Sequence, residues 1–139
     1  MNVGRIVKVT LAAGIVYNII DYIAVNYVLG GVLASMTSIM NPSPSMTANA
    51  IVNFGAGLIL ALVYEKVHGN FGAGPMGGVT FGLYAGLLAN VPIWIGLHVW
   101  LKDISYGTAW IMTLYGIVAY TAMGATAGFV ATLGEPKAA

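Results

Sequence analysis

Along this chain the polar positions fall into short clusters separated by long apolar runs. Residues 22–64 contain no Asp, Glu, Lys or Arg, and neither do residues 104–134. Between Lys66 and Lys102 there is no Asp, Glu, Lys or Arg, and the histidines there are His68 and His98. A helix needs about 20 mostly apolar residues to cross a bilayer, so each run is long enough for at least one span and must be divided at its breakers.

The first predicted span covers 6–29, where Gly30-Gly31 weakens the helix. Residues 32–40 are apolar but short and carry Ser35, Thr37 and Ser38, which points to an interfacial or re-entrant segment. Asn41-Pro42-Ser43-Pro44-Ser45 cannot continue a helix, because each proline removes an N–H and fixes φ. Ser45 or Thr47 then caps a second span over 47–64. Glu65 to Asn70 is polar, and Phe71-Gly72-Ala73-Gly74-Pro75 reads as a loop. The third span covers 76–100, with Pro92 inside it as an expected kink. A short polar turn from Lys102 to Gly107 leads to the fourth span, 108–133, which Gly134-Glu135-Pro136 ends. Barrel strands run to only about 10 residues with alternating polarity, so these longer segments are read as helices.

Composition identifies the solvent. Charged residues are 6% of the 139, hydrophobic residues 59%, and mean hydropathy is +0.88. An ordinary soluble domain carries about 25% charged residues; this chain cannot build such a polar shell. Disordered chains are poor in apolar residues, so disorder is excluded too. The five Lys and Arg form no cluster, which argues against nucleic acid as a partner. With no cysteine there is no disulfide scaffold. The expectation is one all-α membrane domain over 1–139, four transmembrane helices in a compact bundle.

Charge also orients the bundle. Four spans put both termini on one side, which holds Arg5, Lys8, Lys66 and Lys137, while the other holds Lys102. The positive-inside rule then makes both termini cytoplasmic. Trp94, Trp100, Tyr106 and Trp110 gather near the third-to-fourth turn, as an aromatic belt at the outer interface would. Val32-Leu33-Ala34 has the look of a signal-peptide cleavage site, but the apolar stretch before it is too long and carries Asp21.

In lipid, helices associate through close backbone approach and polar contacts. Gly74, Gly78, Gly82 and Gly86 recur every four residues in the third span, and Gly124 and Gly128 repeat the step in the fourth. Packing within one bundle is the plainer reading of these rows; an interface between copies of the chain is the alternative.

Asp21 is the one carboxylate inside a span, and a charge there costs about 2.5–3.5 kcal/mol on insertion scales unless paired or hydrated. Asn18 lies one turn earlier on the same face. Asn49 and Asn53 share a face of the second span, and Asn90 continues the glycine row of the third. A cluster of Asn18, Asp21, Asn53 and Asn90, with Thr113 or Tyr120 as further candidates, follows from their depths. It serves either as a proton- or cation-binding site or as hydrogen bonding that sets helix register.

His98, beside Trp94 and Trp100, is the position where a pigment or haem would find an axial ligand, although an interfacial histidine is the simpler reading. His68 sits a membrane thickness away, so the two cannot share one iron. Paired acids and HxxxH are missing, so no metal site is expected. No Ser–His–Asp set falls at one depth, so enzymatic chemistry is not expected. Gly72-Ala73-Gly74 has no following Lys and no preceding strand, so it is not a phosphate loop.

The opening Met1-Asn2-Val3-Gly4-Arg5-Ile6-Val7, followed by Ala13-Gly14, Asn18, Asp21, Asn26 and Leu29-Gly30, resembles the first helix of a family of small bacterial four-helix membrane proteins without assigned function. The likeness implies a four-helix fold in a bacterial inner membrane and carries no activity. Asn53 to Ile59 is also similar to the second helix of small fluoride channels, but their Gly-rich first helix ending in Arg is missing. The function expected is a structural or accessory membrane subunit, bound by lipid and by other subunits or copies of itself. The alternative is a small proton- or cation-coupled transporter or channel using Asp21.

Overall fold

The computed structural model describes residues 2–133, all of whose regular elements are helical. Helix α1 is Val3–Ile23 and runs on into a π-helical turn, Ala24–Val28. A short α2, Gly30–Ala34, follows; then come α3, Met46–Val67, α4, Gly74–Trp100, and α5, Tyr106–Thr132. Four helices are long and apolar enough to cross a membrane.

Three of the starts are set by side-chain caps. Asn2 Oδ1 accepts the Arg5 N–H at 3.1 Å, Ser45 Oγ that of Ala48 at 3.2 Å, and Ser105 Oγ that of Thr108 at 3.1 Å. Each satisfies a donor that a helix otherwise leaves orphaned. Of the two caps expected for the second span, Ser45 is the one used. The fourth start works differently. Gly72 and Gly74 take φ of +82° and +79°, the left-handed region that favours glycine, and Pro75 enters the first turn, where its missing N–H costs nothing.

The spans differ from the sequence bounds mainly at these caps. Helix α1 starts at Val3 because Asn2 is its cap, and α3 continues past Tyr64 to Val67. Glu65 and Lys66 are helical because a charged side chain at a helix end finds a partner or water without breaking backbone bonds, Glu65 on Arg5 and Lys66 exposed. Helix α4 runs unbroken through Pro92. Residues 30–34 form a single short helix, with turns carrying the chain to Met40. Lys137 and the terminator Gly134-Glu135-Pro136 lie outside the described residues.

Helices α4 and α5 pack along one another, and α1 lies against both α3 and α5. The α4–α5 seam is made of the glycines. A Cβ on Gly78 would strike the Gly124 carbonyl, and one on Gly82 would strike the Tyr120 carbonyl and lie 2.8 Å from the Thr121 Cα. Gly86 stands equally close to Ile117, at 2.9 Å, and Gly128 faces Gly74. Backbone meets backbone there because no side chain intervenes.

At one end of the bundle Arg5 reaches across to Glu65. Nε and Nη2 donate to the two carboxylate oxygens at 2.6 and 2.9 Å, and the Asn2 N–H adds a third bond at 2.8 Å. At the other end the segment after α1 folds over the α4–α5 turn. Leu29 and Met36 are buried with Ile104, Ala109 and Met112, and Ser38 Oγ donates to Asp103 at 2.8 Å. Along the side, α3 and α4 face each other across an apolar groove of about 640 Å³ floored by Phe81 and Tyr120.

Candidate functional site

Asp21 lies on the last full turns of α1, before the π-turn begins. Its two oxygens are held by different helices. From α5 the Tyr115 hydroxyl donates to Oδ1 at 2.6 Å. From α3 the amides of Asn49 and Asn53 donate to Oδ2 at 2.5 and 3.3 Å. The Asn53 amide also donates to Asn18 Oδ1 at 3.2 Å, and Asn18 in turn donates to the Gly14 carbonyl at 2.8 Å. Three helices therefore meet at one carboxylate through neutral donors alone.

Helix periodicity explains the convergence. Asn18 and Asp21 are three apart on α1, Asn49 and Asn53 four apart on α3, so each pair shares a face. Burial is graded: Asn53 is 4% exposed, Asp21 is half-buried, and Asn49 is exposed within the first turn of α3. On the Arg5 side of the site α1 and α3 close together. The Phe54 ring lies on Gly14, and a Cβ on Gly57 would stand 3.0 Å from the Gly14 nitrogen and the Thr10 carbonyl. Tyr17 and Tyr120 pack edge to face there, with ring centroids 6.3 Å apart. These contacts close the junction on the Arg5 side, and its exposed member, Asn49, lies toward residues 41–45.

Of the residues expected in the polar cluster, Asn18, Asp21 and Asn53 come together. Asn90 does not join them. Its amide donates to the Gly86 carbonyl at 3.0 Å and lies against Gly116, where a Cβ would overlap it. It faces α5 because the α4 glycine row, which it continues, forms that seam. Thr113 is fully buried, its hydroxyl without a hydrogen-bond partner among the described residues, and Tyr120 meets Tyr17 rather than Asp21. Two members were missed. Asn49 could have been found from its four-residue spacing to Asn53. Tyr115 carried no signal that set it apart from the other tyrosines.

The glycines expected to pack helices all lie on the α4–α5 seam except Gly74, which reaches it through its carbonyl against Gly128. His98 Nδ1 pairs with the Ile104 carbonyl at 2.7 Å, and its ring stands 5.5 Å from that of Tyr106. It ties the end of α4 to the turn that follows. Among the described residues no group of three His, Cys, Asp or Glu side chains could hold a metal ion.

No family model matches this sequence, and no curated protein or solved structure matches it either.

Proposed function

We propose that this chain is a structural or accessory integral-membrane subunit, placed in a bacterial inner membrane with both termini on the cytoplasmic side. The supporting observation is the lateral groove between α3 and α4. Its walls, Val52, Ile59 and Val63 on one side and Ala85, Leu88 and Ala89 on the other, are apolar and small enough in places for close approach. Helices associate in lipid where such surfaces let backbones come near. Most of the described residues lie in helices, so a partner in the membrane would meet helix faces. Native mass spectrometry after extraction in mild detergent tests the reading. A complex heavier than the 14.4 kDa chain, crosslinked through photoreactive residues at Ile59 or Leu88, supports it. A bare monomer in detergent and in native nanodiscs, with no crosslink, ends it.

A second reading is favoured by the Asp21 junction: a small transporter or channel that carries a proton or cation. An acid inside a span is expensive to keep, and its position close to an exposed asparagine gives it a route from one side. Reconstitution in liposomes tests this directly. A cation or proton flux lost in Asp21→Asn with the fold intact favours transport; no flux from the intact protein under any gradient removes it.

A further inference from the structure

We propose that the Asp21 junction binds one small alkali cation of the sodium type, held by the Asp21 carboxylate and the side-chain oxygens of Asn18, Asn49 and Asn53. The proposal concerns binding only. It stands whether the chain works alone or in a complex, and it narrows the ligand class of the transport reading without depending on flux.

The argument begins with charge. The donors that reach Asp21 are two amides and a phenol, all neutral. Arg5 and Lys8, the two cations on the same helix, lie toward its other end, Arg5 on Glu65. Neutral donors do not cancel a carboxylate's charge, and an uncancelled charge inside a span is costly. One monovalent cation cancels it. A divalent ion would leave a net positive charge, and there is no second carboxylate in the junction to balance it.

The donor set fits this ion. An asparagine side chain presents a nitrogen or an oxygen to the same point by a half-turn about χ2. Asn49 and Asn53 each lie within hydrogen-bond distance of Asp21 Oδ2, so the half-turn places two amide oxygens beside that carboxylate oxygen. Asn18 Oδ1 already faces Asn53. Hard oxygen ligands of this kind suit cations that form no covalent bonds. Tyr115 stays on Oδ1 and holds the carboxylate in orientation. A proton would need a single acceptor and use none of the three amides.

Access agrees with the chemistry. Asn49 is exposed within the first turn of α3, about 5 Å from the helix start at 1.5 Å per residue. The Gly14–Phe54 and Tyr17–Tyr120 contacts close the opposite side. The cation therefore enters and leaves from the side of residues 41–45.

The test uses the purified full chain in detergent, with NaCl, KCl and choline chloride compared at equal ionic strength. Radioactive sodium should bind saturably at one per chain, and NaCl should raise the unfolding temperature above that in choline chloride. Asp21→Asn should abolish both effects. Asn49→Leu, at an exposed position, should still fold, with a small fall in the unfolding temperature in choline from the lost bond to Asp21, and should weaken sodium binding at least about tenfold. If Asp21→Asn does not fold, Asn49→Leu decides alone. Sodium indistinguishable from choline, stability that follows pH and ignores sodium, or undiminished binding in Asn49→Leu would each overturn the proposal. Binding without flux in liposomes leaves it standing and removes the transport reading alone.

Discussion

Tyr115 and Asp21, separated by 94 positions in sequence, share a 2.6 Å hydrogen bond that joins the last long helix to the first. Its length falls in the range of charge-assisted bonds, a class shorter and stronger than neutral pairs. Tyr115→Phe keeps the ring and deletes the donor. Side-chain hydrogen bonds between membrane helices are worth about 0.6 kcal/mol on average and up to about 1.7. The loss expected is toward the upper end, read from reversible unfolding in mixed micelles. A double-mutant cycle with Asp21→Asn should be non-additive, whereas additive losses would mean that the two side chains do not interact.

The glycine seam makes a sharper prediction. Gly82 has the Tyr120 carbonyl and the Thr121 and Gly124 Cα atoms where a Cβ would go. Gly82→Ala should cost about 1–3 kcal/mol, the usual range for overpacking. Gly82→Leu should leave little folded protein. Gly96, with nothing within 4 Å of its Cβ position, is the control. Gly96→Ala should lose nothing and gain up to about 1 kcal/mol, since alanine is the better helix former. Thermal unfolding of the three variants in one detergent checks the ranking.

Ile104 is 1% exposed in the turn between α4 and α5, under the chain that follows α1. Ile104→Ala should cost about 2–5 kcal/mol, as for large-to-small core changes. The damage should be local first. Amide exchange should quicken over residues 29–40, whose apolar anchors Leu29 and Met36 lose their support, before it quickens in the glycine seam. Uniform acceleration along the chain would show that this cap does not open separately.

At the opposite end, Arg5 meets Glu65 through two nitrogens, a geometry that lysine cannot copy. Arg5→Lys should therefore lose most of what Arg5→Ala loses. The Arg5 and Glu65 side chains are only 21% and 6% exposed, so removing one strands the other, and the loss should exceed the ~1 kcal/mol of a surface pair and depend weakly on salt. Unfolding of both variants at low and high NaCl provides the comparison, with choline chloride separating screening from any specific sodium effect.

How far the sequence could be read depends on the range of the interaction. Ser45 and Ser105 act on the N–H groups of residues just after them, so their roles as caps depend on neighbours alone. The same holds for the glycine pair at Gly72 and Gly74, whose positive φ sets the start of α4. Asn18, Asp21 and Asn53 were legible as partners because each is a rare polar group in an apolar helix. Asn90 looked equivalent, at a similar depth, yet it turned to Gly116.

The solvent, the number of long helices and their approximate ends were already contained in the order of residues. Hydropathy sums along the chain, and capping acts within a single turn. Which glycine row met which, and which tyrosine reached Asp21, depended on how each helix is rotated about its axis. Rotation follows from the fit of all the helices at once. A shift of one residue, about 100° around a helix, would have presented a different side chain at the same depth.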